Sequence, residues 1–253
     1  MTNPKELEQR MRDREMFASL RIMPGAWTIV RLDGRTFSHF TAGRYEKPFD
    51  QCLRDHMTAA AQALIEQLNG LFACTHSDEI SVLFPQKWDF FGRRVEKIVS
   101  IIAGLASAAF TKACSEPAHF DSRVWQAASI EEVIEYFKWR QADSARCALH
   151  GWCYWTLRKE GLDGGAATRA LKGAKKGALN ELLFRRGINF NDLPVWQRRG
   201  VGLYFEACEK TGYDPIRNKP VAAKRRRLKV DLELPMGGEY ERLIKSVATP
   251  GFF

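Results

Sequence analysis

Apolar residues recur at helical spacing between Phe49 and Asn69 (FDQCLRDHMTAAAQALIEQLN), which predicts a helix closed at Gly70. Two short apolar runs follow, Leu71–Thr75 and Ile80–Phe84, with His76, Ser77, Asp78 and Glu79 between them and Pro85 after them. Their brevity and the polar break predict a β-hairpin with an acidic connection. Upstream, Ala26–Leu32 (AWTIVRL) is β-branched in its middle and lies between Pro24-Gly25 and Asp33-Gly34, as a strand between turns does. Downstream, Trp88–Lys112 reads as a second helix, basic in its first turns and apolar later, and Phe120–Ala127 (FDSRVWQA) as a fourth strand. Residues 4–20 mix charges with helix formers and predict a solvated N-terminal helix.

From the first strand onward these elements run β-α-β-β-α-β. That is the split βαβ pattern of a ferredoxin-like antiparallel sheet with helices on one face, and the chain is α+β in class. Ser129 and Glu132 stand at capping-box spacing, so a further helix starts there and continues to about Arg158. Its aromatic run Trp152, Tyr154 and Trp155 is read as core ahead of a base-stacking platform. Residues 159–165 read as a loop, 166–184 as helical with interruptions at Gly173 and Gly177, and 186–194 as turns. Val195–Phe205 and Lys219–Val230 form a last pair of strands.

Composition narrows the function classes. Of 253 residues, 45% are hydrophobic and 27% charged, which is globular composition and excludes wholesale disorder. The 39 Lys+Arg against 30 Asp+Glu leave a formal charge of +9, which favours an anionic partner, nucleic acid ahead of a membrane surface. The stretch Ile98–Phe110 reads as a buried helix too short to span a bilayer, and MTNPKELEQRMRDRE lacks the apolar core of a signal peptide. The expectation is a cytoplasmic protein with no membrane partner. Six scattered cysteines without a CxxC pair then read as reduced, buried side chains; Cys74 with His76 would need two further ligands to hold zinc.

The acidic positions of the first half suit a two-metal site. Asp33 ends the first strand, and Asp78 and Glu79 sit in the hairpin connection, so the predicted sheet brings them to one edge. Hard carboxylate ligands on strand ends suit Mg²⁺, and two such ions can stabilise both attacking and leaving oxygens of a phosphoryl transfer. The same dipeptide DG and tripeptide SDE are also what plain solvated turns contain. Arg31, Arg35 and Lys47 around the first motif, and Arg93, Arg94 and Lys97 early in the second helix, would hold a triphosphate or form exposed faces. No GxxxxGK[ST] loop and no Ser/His/Asp arrangement is present.

These residues also carry a specific resemblance. IVRLDGRTFSHF (Ile29–Phe40) is followed about forty residues later by SDEISVLF (Ser77–Phe84). FDSRV (Phe120–Val124), YFKWRQAD (Tyr136–Asp143), NELLF (Asn180–Phe184) and INFNDLPVWQRRG (Ile188–Gly200) come after them in order. Together they resemble the tRNA-histidine guanylyltransferases, the 3′–5′ nucleotidyltransferases, over about residues 5–205. The resemblance implies a polymerase-palm-like fold and one catalytic domain over residues 1–253, with a palm core at about 20–127 and a helical and short-strand extension at about 128–253. It implies Asp33, Asp78 and Glu79 as catalytic acids, with two Mg²⁺ on Asp33, Asp78 and the backbone carbonyl of Gly34. The nucleotide would lie along Asp33, Gly34, Arg35, Thr36, Phe37 and Ser38 and against Ser77, with Lys47, Arg94 and Lys97 on triphosphates. ATP or GTP would activate the 5′-monophosphate of a tRNA, and the 3′-hydroxyl of an incoming NTP would then extend it. A homo-tetramer is part of the same implication.

Where the eukaryotic members carry HINNLYNT, the in-register residues Ala145–Trp152 read ARCALHGW. In this the chain resembles the bacterial and archaeal like-protein branch, which repairs truncated tRNA 5′ ends against a template base. His150 there is expected to be a surface or core histidine rather than a catalytic one. The basic run Lys224, Arg225, Arg226 and Arg227 would contact the tRNA backbone or guard a strand edge. The alternatives are a dedicated tRNA-His guanylyltransferase, a nucleotide cyclase, and a non-catalytic RNA-binding palm module.

Overall fold

The computed structural model describes residues 3–214 and 219–249, with side chains left out for residues 210–224. Six antiparallel strands form one sheet in the order β4-β1-β3-β2-β5-β6. They are β1 (Trp27–Gly34), β2 (Phe72–His76), β3 (Glu79–Phe84), β4 (Phe120–Ala127), β5 (Val201–Asp214) and β6 (Lys219–Asp231). The first four carry the expected order, and the β5–β6 ribbon pairs onto β2 through residues 201–204 of β5.

The helices are α1 (Pro4–Arg12), α2 (Phe37–Phe40), α3 (Gln51–Gln67), α4 (Val95–Cys114), α5 (Ile130–Lys159), α6 (Gly164–Leu171), α7 (Lys176–Phe184), α8 (Val195–Arg199) and α9 (Gly238–Ala248). Strand alternation sends β1 and β3 side chains to two different cores. Val30, Leu32, Ile80, Val82 and Phe84 pack under α3 and α4. Ile29 and Leu83 pack under Val133 and Phe137 of α5 and Tyr240 and Ile244 of α9. Helices therefore cover both faces, where the sequence pattern predicted one. A third core joins the C-terminal half of α5 to α6 and α7 through Leu149, Cys153, Leu171 and Leu183.

Local chemistry moves several boundaries. The N-terminal helix stops at Arg12 because none of its residues is buried, and propensity alone sustains only a short helix. Asp50 caps α3 by accepting from the Leu53 amide at 3.0 Å. Asn69, at φ 55°, rather than Gly70, takes the left-handed position after it. The second helix begins at Val95, not Trp88. Trp88 stacks on Phe84 at 4.1 Å and donates to the Leu68 carbonyl at 3.0 Å. Phe91, Gly92 and Arg93 then hold positive φ and break the helical path, so Arg93 and Arg94 precede the helix. At 20 residues, α4 is long and apolar enough by length and composition to cross a bilayer. Here its Ile98, Ile102, Ala106 and Phe110 face is fully buried against the sheet. The capping box at Ser129 and Glu132 forms as read. Gly177 lies inside α7 and does not interrupt it.

Residues 195–199 are helix rather than strand. Gly200, at φ 82°, ends α8 and turns the chain into β5, and a Cβ there would meet the Thr75 carbonyl oxygen at 2.6 Å. Gly200→Ala thus combines left-handed strain with a backbone clash, each worth ~1–3 kcal/mol. Urea unfolding should show a loss of at least ~2 kcal/mol; an unchanged midpoint would mean the α8–β5 junction is not built this way.

Candidate functional site

The β1–β3 register sets the site. Asp33 pairs with Glu79 across the strands, and the Gly34 amide donates to the Asp78 carbonyl at 2.9 Å. This brings the end of β1 and the β2–β3 connection to one sheet edge. A Cβ on Gly34 would lie 2.4 Å from the Phe37 ring, so that position admits only glycine without moving Phe37.

The consecutive acids Asp78 and Glu79 diverge. Asp78 lines a cleft of about 500 Å³ bounded by α2, α3, the β2–β3 connection, α5 and α8. Burial pushes its carboxyl pKa up, and the nearby Asp33 charge adds to this, while Ser77 and Lys47 oppose it. Among the described residues no lysine or arginine forms an ion pair with it.

Glu79 starts β3 on the α5 side, in phase with Ser81, whose hydroxyl meets the Tyr136 hydroxyl at 3.0 Å. Arg140 of α5 grips Glu79 with two hydrogen bonds, Nε to Oε1 at 2.7 Å and Nη2 to Oε2 at 2.6 Å. Arg140 also reaches Asp143 at 3.1 Å, and Arg31 lies 3.9 Å from Glu79. Burial still raises the Glu79 pKa, with Arg140 as the chief opposing influence. The resemblance's catalytic or supporting Glu79 therefore lies outside the residues lining the cleft, in a clamp between β3 and α5. Arg31, grouped by sequence with the triphosphate cations, likewise faces the α5 side: it stands 3.8 Å from Asp33, and its buried Nε lacks a hydrogen-bond acceptor. Arg123 of β4 pairs with Asp33 at 2.9 Å.

Of the expected nucleotide contacts, Phe37, Ser38, Lys47, Ser77 and Asp78 line the one cleft. Lys47 donates to Thr41 Oγ1 at 2.5 Å, and burial lowers its pKa against the pull of Asp50 and Asp78. Asp33, Gly34, Arg35 and Thr36 form the end of β1 and its connection to α2, outside the lining residues. Arg94 stands at the N-cap position of α4 without a side-chain capping bond, with Lys97 just inside the helix, both outside the lining. On β6, Arg225, Arg226 and Arg227 are exposed, with Arg227 on Glu206 at 2.5 Å and Arg226 over the Phe205 ring at 4.5 Å; the Lys224 side chain lies outside the described residues. His150 is exposed on α5.

The sequence reading missed two parts of the cleft wall. Trp155 lines it, although read as core; Trp152 and Tyr154 do pack against the third core. Trp196, from the INFNDLPVWQRRG block, lines it too, once residues 195–199 are helical. His76 Nε2 donates to the Gln197 carbonyl at 2.9 Å, which fixes the tautomer because a carbonyl only accepts, and burial lowers its pKa. Burial pushes the Cys74 thiol up to about 12.

Among the described residues no three His, Cys, Asp or Glu side chains form a metal cage. The edge instead offers two carboxylates, Asp33 and Asp78, with the Gly34 carbonyl. The half-buried Asp78 carboxylate, repelled by Asp33 and without a lysine or arginine ion pair, fits a hard divalent cation, although Asp33 itself is paired with Arg123. Mg²⁺ takes one or two carboxylates and completes its shell with water and substrate phosphate.

Two family models match the chain in succession, one described as tRNAHis guanylyltransferase over residues 8–128, the other as the Thg1 C terminal domain over residues 131–233. The chain belongs to the tRNAHis guanylyltransferase family. The tRNA(His) guanylyltransferase 1 of Arabidopsis thaliana is 33% identical over 79% of this chain and 37% of its own length, so this chain spans little more than a third of that relative. The probable tRNA(His) guanylyltransferase of Mus musculus is 31% identical over 77% of this chain and 70% of its own. Among solved structures, a bacterial tRNA(His) guanylyltransferase (Thg1)-like protein in complex with GTP matches with TM-score 0.72 and 27% identity, over 96% of this chain and 99% of that one. One in complex with ATP matches at TM-score 0.72 and 26% identity, over 96% and 99%. The family's palm-like sheet is thus the fold of this chain.

The metal reading has a direct check. If a cation relieves the Asp33–Asp78 repulsion, millimolar Mg²⁺ should raise the thermal midpoint of the wild-type protein by mass action on the folded state. Asp33→Asn should abolish that rise; a rise that persists in the variant would place the cation elsewhere.

Proposed function

We propose that the chain is an Mg²⁺-dependent nucleotidyltransferase that extends the 5′ end of tRNA in the 3′–5′ direction, using ATP or GTP to activate the 5′-monophosphate. The observation that carries this reading is the meeting of Lys47, Ser77 and Asp78 in one cleft beside the Asp33 end of β1. The ATP and GTP complexes of the bacterial Thg1-like proteins support it.

In the activation step an oxygen of the RNA 5′-phosphate attacks the α-phosphorus of ATP or GTP, and pyrophosphate leaves. In the extension step the 3′-hydroxyl of the incoming NTP attacks the RNA 5′-phosphorus, and the nucleoside monophosphate leaves. Mg²⁺ held by Asp33, Asp78 and the Gly34 carbonyl would neutralise the charge on the phosphates; the full reading takes two ions. Lys47 places a cation on the leaving group, already oriented by Thr41, and charge developing in a partly dry cleft is stabilised more strongly than in water. The short β1–α2 connection holds the nucleotide close to the edge, which supplies the positioning that phosphoryl transfer demands.

Template-directed 5′-end repair is the preferred form of this activity. It rests on the segment Ala145–Trp152, which lacks the Asn-rich block of the eukaryotic members, so selection falls to base pairing at the acceptor end. A homo-tetramer, and tRNA contact through exposed Arg225, Arg226 and Arg227 of β6, belong to the same proposal. The G-adding guanylyltransferase is the second reading, favoured by the names of the curated relatives.

The assay combines purified protein, Mg²⁺, ATP and all four NTPs with 5′-monophosphorylated tRNA-His or another tRNA lacking its first nucleotide. Template-matched growth of the truncated tRNA is expected. Addition of G to tRNA-His alone would favour the second reading, and growth of neither RNA would overturn both.

A further inference from the structure

We propose that Trp139 and Arg123 dock the 5′-terminal nucleotide of the RNA on the α5 side of the acidic edge, the indole ring capping the terminal base and the guanidinium holding the 5′-phosphate. The inference deepens the nucleotidyltransferase reading given above and rests on it. Lys47, Ser77 and Asp78 serve the nucleotide in the cleft, whereas Asp33 lies outside that lining. A transfer between two phosphates needs the second one at the Asp33 end, so the RNA comes to the face that the Asp33 carboxylate presents.

Strand register defines that face. Arg31 and Asp33 of β1 stand opposite Ser81 and Glu79 of β3 on one side, and opposite Arg123 and Asp121 of β4 on the other. Their side chains share one face of the pleat, under the first half of α5. Arg123 Nη2 lies 2.9 Å from Asp33 and donates to Asp121 at 2.9 Å, while its Nε and Nη1 have no acceptor among the described residues. The Arg123 side chain is 52% exposed. Once a cation takes the Asp33 charge, the guanidinium keeps only Asp121 and can offer a phosphate two parallel donors.

Arg31, opposite Arg123 in the β1–β4 ladder, leads from there to Trp139, with its guanidinium 5.7 Å from the ring. The Arg140 guanidinium lies over the same ring at 4.4 Å, yet Trp139 stays 52% exposed. Both arginines also hold Glu79, so the clamp that ties β3 to α5 fixes the indole as well. Tyr136 supports it edge-on at 5.7 Å and is itself 4.9 Å from Trp125. A ring immobilised in this way costs a ligand little ordering entropy, and every base has a π-face to stack on it. Such a dock reads the 5′-phosphate and the end of the strand rather than its sequence, which leaves base choice to pairing with the template.

The test uses the full chain with Mg²⁺ and no NTP. Its probe is a tRNA acceptor-arm hairpin with 2-aminopurine as the 5′-terminal base, made with a 5′-monophosphate or a 5′-hydroxyl. The wild-type protein should bind the phosphorylated hairpin about ten-fold more tightly and quench its fluorescence by stacking. Arg123→Gln should erase the preference without weakening the 5′-hydroxyl hairpin, and Arg123→Lys should restore part of it. Trp139→Ala should bind both hairpins about ten-fold more weakly and without the quench, and Trp139→Phe should regain the affinity. Leucine keeps apolar volume without a ring, so Trp139→Leu should behave as alanine does, which keeps the test informative if the alanine variant fails to fold. The α,β-methylene analogue of ATP should bind every variant as it binds wild type, because the cleft lies on the other side of the edge. Equal affinity of wild type for the two hairpins, or a quench that survives in Trp139→Leu, overturns the dock. A changed oligomeric state of Trp139→Ala by light scattering would place the ring between copies and overturn it too. A wild-type protein that binds the ATP analogue but neither hairpin would overturn the tRNA reading itself, and the dock with it.

Discussion

The antiparallel register of β1 against β3 is the constraint on which the site depends. With Asp33 opposite Glu79 and the Gly34 amide on the Asp78 carbonyl, the first strand and the central hairpin end together. Strand alternation then decides where each acid goes. Asp78, in the connection, turns into the cleft; Glu79, first in the strand, turns to α5. A one-residue slip would exchange the faces of every side chain on β3 and take Ile80, Val82 and Phe84 out of their core. The cores on the two faces therefore hold the placement of these acids as firmly as they hold the fold.

The clamp between Glu79 and Arg140 follows from that geometry. Both side chains are mostly buried, at 19% and 12% exposure, so neither charge can be left alone without a large desolvation penalty. The bidentate pair ties the start of β3 to the middle of a 30-residue helix whose first half covers the sheet and whose second half reaches the cleft. Through α5 the same element that ties down the acidic edge also places Trp155 in the cleft lining. Arg31 on Glu79 and Asp143 on Arg140 extend this clamp, which fits structural pairing of Glu79 better than a place in the cleft.

Much of this was legible in the chain. The β-α-β-β-α-β order, the α5 capping box and the convergence of Asp33 with Asp78 follow from apolar spacing and turn residues, which are local signals. What was not legible depended on tertiary placement. Nothing local says that Glu79 faces away from Asp78, because face is set by where β3 begins. The break before α4 depends on Trp88 stacking on Phe84 and on left-handed Phe91 and Arg93, residues that rarely adopt that region. α9 covers the second face from far along the sequence, so the one-sided sheet was a reasonable but incomplete reading. Trp155 looked like core because a tryptophan on an amphipathic helix is usually core, and only the crossing of α5 at the sheet edge turns it to the cleft.

The central proposal is a division of labour between neighbours, in which Asp78 would serve the chemistry and Glu79 hold the frame. Single-turnover formation of the nucleotidylated RNA 5′ end, measured with urea unfolding for Asp78→Asn and Glu79→Gln, tests it most directly. Asp78→Asn should lose the rate by orders of magnitude while keeping its unfolding midpoint. Glu79→Gln should lose ~3 kcal/mol of stability yet retain much of its rate at temperatures where it is folded. A Glu79→Gln protein as stable as wild type but inactive would contradict the account and return Glu79 to the reacting centre.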